Sequence, residues 1–311
     1  MIPRSEERIV RLGCEAMATR FEAALADGDP ARLRAAGEEA LAEVKRLDAR
    51  LSRFRCDSDI GKLNREAARA PVRVEPWLYD LLSTAADINR RTDGAFDITV
   101  APLMRLWGFW DGPGRVPAPE AIEEALTLTG MRHVVLRPDD FTVVFLREGV
   151  EIDLGGIAKG YAVDRAAEIM IESGVTSALV HGGTSAVRAI GLPPDAAAWR
   201  VAARGVDGAS YAGVFDLTDS SLAVSALHGR SFASGGVEYG HVIDARTGRP
   251  VDHTHLSVVT GPSAMVCDAL STALLSLGES WLPILPERFV GYAGRVAARP
   301  PQAEPKERKN A

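Results

Sequence analysis

The chain has 311 residues, of which 46% are hydrophobic, 25% charged and 6% aromatic. These fractions are typical of a globular protein and exclude a collagen, a coiled coil or a wholly disordered chain. A net charge of −6 lacks the basic footprint of proteins that bind duplex nucleic acid, so we expect no nucleic-acid partner. The three cysteines form no CxxC pair, which argues against a disulfide framework or a thiolate zinc site and fits a reducing compartment.

The first residues, MIPRSEERIVRLGCEAMA, place charges where a signal peptide needs an apolar centre. The tetrapeptide RLGC resembles a lipoprotein cleavage box, but no apolar run precedes it. The uncharged apolar stretches of the chain are also much shorter than a membrane span. We therefore expect a cytoplasmic protein without a membrane-spanning segment.

Hydrophobic periodicity and helix-end signals predict a series of elements along the chain. Helices are predicted over 30–52, 76–91, 119–128, 155–170 and 264–277, and strands over 133–137, 142–146, 150–153, 177–181, 187–190, 200–203, 222–225, 240–244 and 256–259. Helices come first, followed by strands and two further helices, which indicates an α+β fold with a mixed, mostly antiparallel sheet and packed helices. We expect a single domain over residues 1–298 and a disordered, charged tail over 299–311.

Two side chains of the last predicted helix, Asp268 and Thr272, lie four residues apart and therefore share one helix face. A carboxylate and a hydroxyl are hard ligands suited to Mg²⁺, which also takes waters and substrate phosphate oxygens. The alternative is structural: an aspartate near a helix start and a threonine that bonds back to the helix backbone. The spacing alone leaves both interpretations open.

The segment DLGGIAKG, residues 153–160, places two glycines before a helix. Glycines allow a ligand to approach the backbone, a helix N-terminus favours anions, and Lys159 could add a charge for a phosphate. The segment matches neither a Walker A loop nor a GxGxxG fingerprint, so a tight turn with a solvated lysine remains the alternative.

The segment TDGAFDITVAPLMRLWGF, residues 92–109, carries three aromatic residues together with glycines. Phe96, Trp107 and Phe109 could stack on a flat ring, although burial in the core is the commoner role of such residues. His241, flanked by Gly240, could act as an acid or base near neutral pH, or it could be a structural imidazole. No GxSxG nucleophile elbow occurs.

Six segments in this order resemble the family of FAD:protein FMN transferases, the ApbE flavin transferases. They are MATRFE (17–22), LSRFRCDSDIGKLN (51–64), TDGAFDITVAPLMRLWGF (92–109), DLGGIAKGYAVD (153–164), GHVIDARTGRPV (240–251) and AMVCDALSTALLSLG (264–278). The resemblance extends from residue 17 to residue 278. It implies an ApbE-like fold with a T-fold-like duplication.

The resemblance also implies a transferase reaction that depends on Mg²⁺. FAD, as substrate, is split at its pyrophosphate, FMN passes to a threonine hydroxyl of an acceptor flavoprotein, and AMP leaves. The family's metal ligands correspond to Gly156, through its backbone carbonyl, and to the side chains of Asp268 and Thr272. His241 is the candidate for assisting proton transfer from the acceptor threonine, and Asp97 is a second candidate, as base or orienting residue.

The same resemblance implies a set of flavin contacts, each assigned to a matching position of this sequence. They fall on Met17, Phe54, Ala95, Phe96, Asp97, Asp153, Lys159 and Val242. Three positions depart from the family pattern. Phe54 lacks the hydroxyl of the usual tyrosine, Thr184 follows Gly-Gly where an asparagine or aspartate is usual, and Ala245 replaces the proline of the DPRTG turn.

The same site could also serve other functions. In a Mg²⁺-dependent FAD pyrophosphatase, water would replace the acceptor hydroxyl and free FMN and AMP would form. In a non-catalytic FAD-binding protein, Thr184 would be a sign of lost activity. The sequence does not identify the acceptor protein.

Overall fold

The computed structural model describes residues 9–110, 112–205, 211–227 and 231–298. The helices are α1 Pro30–Leu51, α2 Asp59–Glu66, α3 Pro76–Arg91, α4 Ala101–Leu106, α5 Pro119–Leu126, α6 Ala158–Glu172, α7 Ala264–Leu277 and α8 Ile284–Arg288. The strands are β1 Val10–Ala16, β2 Thr19–Ala26, β3 Val72–Arg73, β4 Val134–Arg137, β5 Thr142–Phe145, β6 Ser177–Gly182, β7 Ala186–Ile190, β8 Trp199–Arg204, β9 Tyr211–Leu217, β10 Ser221–Ala226, β11 Ser231–Ser234, β12 Val237–Gly240, β13 Ile243–Asp244, β14 Arg249–Pro250, β15 Thr254–Gly261 and β16 Ala293–Ala298.

The main sheet has seven strands in the order β1-β2-β6-β7-β10-β15-β16, and each neighbouring pair is antiparallel. Helices α1, α6 and α7 pack together, and α7 lies against β10 and β15. On the other side, apolar side chains of the sheet form a second cluster with the β8–β9 hairpin. The predicted α+β class with a mostly antiparallel sheet is confirmed, whereas the T-fold-like duplication stays a prediction.

The helix that carries the candidate metal ligands, α7, is fixed at both ends. Ser263 caps its N-terminus, and its hydroxyl accepts a hydrogen bond from the Val266 N–H. Asp164 of α6 accepts two more, from the Ala264 and Met265 N–H groups at 2.9 Å each. The helix ends at Gly278, whose φ of 71° suits glycine.

Two of the predicted strands differ from the structure. Residues 150–153 are extended but belong to no strand, because their backbone groups bond elsewhere: Ile152 exchanges hydrogen bonds with the Asn64 side chain, and the Asp153 N–H donates to the Ile98 carbonyl. The predicted strand over 240–244 is interrupted at His241 and Val242, which connect β12 to β13. The predicted boundary at residue 298 and the tail over 299–311 lie at or beyond the end of the described residues.

The β1–β2 hairpin turns through two non-glycine residues in the left-handed region, Met17 with φ 49° and Ala18 with φ 57°. A two-residue hairpin turn of type I′ requires positive φ at both positions, and L-residues adopt it at a cost of about 1–2 kcal/mol each. None of the helices in the described part of the chain is long and apolar enough to cross a lipid bilayer.

We expect Ala18→Gly to raise the free energy of unfolding by about 0.5–1 kcal/mol, because glycine relieves the strained φ but adds freedom to the unfolded chain. Ala24→Gly is the matched control, because Ala24 lies inside strand β2, where glycine destabilises. Urea unfolding of both variants is the measurement. Destabilisation by both substitutions would contradict a strained turn.

Candidate active site

A cavity of about 960 Å³ lies beside the glycine turn that precedes α6. Sheet residues such as Leu179, Val187 and Leu222, together with Val201 and Ala203 of β8, form an apolar part of its wall. The polar part is formed by the ends of several elements that are far apart in the sequence. It includes Ser52, Arg53, Asp97, Asp153, Gly156, Lys159, His241, Asp268 and Thr272. A cavity of this size and composition is suited to a large organic ligand with a few polar anchors.

The structure brings the predicted site residues together, with one exception. Met17, Phe54, Ala95, Asp97, Asp153, Gly156, Lys159, His241, Val242, Asp268 and Thr272 all line the cavity. Phe96 is only 3% exposed and lies behind the wall, where a Cβ built on Gly156 would be 3.4 Å from the Phe96 ring. Phe96 therefore packs behind the glycine turn. Its burial, like that of Trp107 and Phe109, agrees with the core interpretation of this aromatic segment.

The three candidate metal ligands converge where α7 passes the glycine turn. A Cβ on Gly156 would lie 3.2 Å from Thr272 Oγ1, so this stretch of backbone closely approaches the threonine hydroxyl. Asp268 is 2% exposed, and one of its carboxylate oxygens accepts a hydrogen bond from the Gly160 N–H at 3.0 Å. Burial raises the pKa of Asp268, and the positive charge of Lys159 opposes that rise.

This donor set fits Mg²⁺. A buried carboxylate with a single N–H partner is costly unless a cation compensates it. Among the described residues, no group of three or more histidines, cysteines, aspartates or glutamates could hold a metal. The site offers one carboxylate and one hydroxyl beside the backbone of the glycine turn, which leaves further positions for water and phosphate, as Mg²⁺ prefers.

The glycine turn is fixed by its own side chains. The Asp153 carboxylate accepts a hydrogen bond from the Gly155 N–H, and Lys159 Nζ donates one to the Gly155 carbonyl, both at 2.8 Å. Arg53 approaches Asp153 from the other side, with Nε 3.5 Å from a carboxylate oxygen. Lys159 therefore brings positive charge near Asp268, and Arg53 brings positive charge to Asp153 at the start of the glycine turn.

Arg53 was not identified by sequence reasoning, although it lies next to Phe54 in a segment that carried the resemblance. Its guanidinium carbon lies 3.7 Å from the Phe54 ring centroid and 2.9 Å from that of Trp110. The Phe54 side chain, at 69% exposure, remains open to solvent. This aromatic and cationic cluster is suited to stack on a planar ring.

Both carboxylate oxygens of Asp97 accept hydrogen bonds, which disfavours a role as a base. One carboxylate oxygen accepts from the backbone N–H and the hydroxyl of Thr99, and the other from Asn89 Nδ2 and the Met131 N–H. Burial raises the pKa of Asp97, and these donors counteract the rise. These hydrogen bonds tie Asp97 to Asn89, Thr99 and Met131, an arrangement that is compatible with an orienting role.

His241 lies in the cavity wall between β12 and β13. The loop beyond it is held by Arg246, whose guanidinium forms a two-pronged contact with Asp244 at 2.9 and 2.7 Å. Val242 accepts a backbone hydrogen bond from Val251 at 2.9 Å. Although Ala245 replaces the usual proline, side-chain contacts therefore still hold this turn.

Ser225 is a second residue that sequence reasoning missed. Its hydroxyl on β10 lies 2.7 Å from Ser271 Oγ and 3.3 Å from Thr272 Oγ1. No local motif marks this serine, because β10 and α7 meet only in the folded chain. It supports the hydroxyl of Thr272 from the sheet side.

The sequence pattern of the ApbE family matches residues 17–290. The chain belongs to the ApbE family. A protein from Treponema pallidum named FAD:protein FMN transferase is 35% identical over 278 residues, covering 84% of this chain and 76% of the relative. A protein of the same name from Vibrio cholerae is 31% identical over 241 residues, covering 76% and 71%.

Solved structures of the ApbE family share the fold. The ApbE protein from Thermotoga maritima superposes with a TM-score of 0.85 at 31% identity and covers 94% of each chain. The apo form of the flavinyl transferase ApbE from Pseudomonas stutzeri gives a TM-score of 0.83 at 28% identity and covers 95% of this chain and 92% of its own. The predicted family and the predicted enzyme class, a transferase, are thereby confirmed.

Proposed function

We propose that the chain transfers FMN from FAD to a threonine side chain of an acceptor flavoprotein, with Mg²⁺ bound, and releases AMP. The convergence of Gly156, Asp268 and Thr272 at one cavity supports this proposal most directly. The curated relatives named FAD:protein FMN transferase support the same reaction. The cavity of about 960 Å³ has the volume that a large cofactor needs.

Catalysis of phosphoryl transfer depends mainly on positioning the reactants and neutralising charge. Different residues of the cavity would supply these two contributions. Met17, Phe54 and Ala95 line the part assigned to the flavin, and Lys159 places a cation near the pyrophosphate. Mg²⁺, when bound at Asp268, Thr272 and Gly156, supplies further neutralisation of phosphate charge. His241 takes the proton of the acceptor hydroxyl.

The test is a transfer assay with FAD, Mg²⁺ and a threonine-bearing acceptor protein, read by intact mass. We expect the acceptor to gain the mass of one FMN less one water, with one AMP released for each flavin transferred. If free FMN and AMP accumulate and the acceptor stays unlabelled, the chain is a pyrophosphatase. If FAD binds and no product forms, the chain is a binding protein.

We expect Ser225→Ala to raise the Mg²⁺ concentration for half-maximal transfer by about 10-fold, because residues that support metal ligands typically contribute 10- to 100-fold to affinity. Ser225→Thr, which keeps the hydroxyl, should recover much of the loss. Ser173→Ala is the matched control, because that exposed hydroxyl bonds only to the end of α6. An unchanged Mg²⁺ requirement in Ser225→Ala would refute the supporting role.

A further inference from the structure

Thr184 lies in the turn between β6 and β7 and lines the same cavity as the candidate metal ligands. Its side chain is exposed, and its hydroxyl makes no hydrogen bond to any other residue that the structure describes. The hydroxyls of Thr272 and Ser225, by contrast, are engaged with each other and with α7. Thr184 is therefore an unengaged threonine hydroxyl at a site proposed to transfer FMN to threonine.

Thr184 precedes strand β7, which pairs with β10, the strand that carries Ser225. In the β7–β10 ladder Ala186 faces Ala223, and the Val224 N–H donates to the Ser185 carbonyl at 2.8 Å. Thr184 is the residue before Ser185, and Ser225 is the residue after Val224. The Ser225 hydroxyl is in turn 3.3 Å from Thr272 Oγ1.

The residue before Thr184, Gly183, packs against the first residues of β2, which follow the turn that carries Met17. The Gly183 N–H donates to the Arg20 carbonyl at 2.8 Å, and a Cβ on Gly183 would lie only 2.2 Å from Thr19 Oγ1. The β6–β7 turn is thus packed against the β1–β2 turn. Thr184 follows Gly183 in this turn and lines the same cavity as Met17, a candidate flavin contact, and Thr272, a candidate metal ligand.

We propose that Thr184 is an internal acceptor, so that the chain transfers FMN from FAD to its own Thr184. This inference depends on the proposed function. Thr184 Oγ attacks the phosphorus on the FMN side of the pyrophosphate and forms a new P–O ester bond. The bond from that phosphorus to the bridging oxygen breaks, its electron pair leaves with AMP, and the hydroxyl proton passes through His241 to the AMP phosphate. No oxidant or reductant is required.

The test incubates the full chain with FAD and Mg²⁺ in the absence of an acceptor, and then denatures it. We expect in-gel flavin fluorescence, a mass gain of one FMN less one water, and a flavin-bearing peptide that contains Thr184. Because the acceptor lies within the cavity of the same chain, the rate constant should be independent of protein concentration over a tenfold range. AMP should be released in equal amount.

Three variants define the site. Thr184→Ala should lose the covalent flavin, Thr184→Ser should retain it, and Ser185→Ala, at the neighbouring hydroxyl, should also retain it. Thermal unfolding shows whether each variant is folded. The serine variant keeps the test meaningful if the alanine variant fails to fold.

The outcomes separate this inference from the proposed function. Transfer to an added acceptor without any covalent flavin on Thr184 would overturn the internal acceptor and leave the transferase proposal intact. A flavin on Ser185 or any other residue would also overturn it. If neither AMP nor labelled acceptor forms, the proposed function fails and the internal acceptor fails with it.

Discussion

Asp268→Asn is expected to lower FMN transfer by at least about 100-fold, because the substitution removes the only carboxylate of the proposed metal site. The amide can still accept the hydrogen bond from the Gly160 N–H at 3.0 Å, so the fold should persist. The metal-free variant should also unfold about 2 °C higher than the wild type, because a neutral amide is buried at a lower cost than a carboxylate.

Transfer kinetics and thermal unfolding, each with and without Mg²⁺, are the measurements. Mg²⁺ should raise the unfolding temperature of the wild type and leave that of Asp268→Asn unchanged, since an ion stabilises only the folded state that binds it. Asp252→Asn is the matched control, because the Asp252 side chain is 85% exposed. Equal stabilisation of Asp268→Asn and the wild type by Mg²⁺ would place the metal elsewhere.

Gly160→Ala is expected to lower the free energy of unfolding by about 3 kcal/mol, the upper range for an overpacked core. A Cβ at this position would lie 2.3 Å from the Ala264 carbonyl oxygen and 2.7 Å from the Met265 Cα, both backbone atoms that cannot rotate away. Helices α6 and α7 would have to separate, and the hydrogen bond from Gly160 to Asp268 would lengthen. The variant should therefore also require more Mg²⁺.

Denaturant unfolding and Mg²⁺ titration of transfer measure both effects. Gly112→Ala is the control, because a Cβ there meets nothing within 4 Å, and its stability should stay within about 0.5 kcal/mol of the wild type. If Gly160→Ala keeps wild-type stability, the close packing of α6 on α7 is not required by the fold.

Several helices could be predicted from the sequence with their boundaries. Helix α1 follows from Asp29 as its cap, Pro30 in its first turn and a periodic row of leucines, and the structure shows each of these features. Helix α7 was predicted with the same ends that the structure shows. The four-residue spacing of Asp268 and Thr272 placed both side chains on one helix face, because helical periodicity depends on neighbouring residues only.

Strands were harder to predict, because their partners lie far away in the chain. Strands β1 and β2 were missed, since Gly13 and the charged residues of this region obscure the apolar alternation. The segment 150–153 has the composition of a strand, yet its hydrogen bonds go to the Asn64 side chain and the Ile98 carbonyl. Only the folded chain determines which partner a backbone group finds.

The amino-acid sequence by itself determined the family, the α+β class and eleven of the residues that line the cavity, because ordered motifs preserve local chemistry. The tertiary structure alone decided that Arg53 lies between the Phe54 and Trp110 rings, that Ser225 contacts Thr272, and that Phe96 packs behind the wall. It also placed Thr184 in the wall of the cavity that contains the candidate metal ligands. These relations join residues that are distant in the chain or depend on side-chain packing, so no local pattern of residues encodes them.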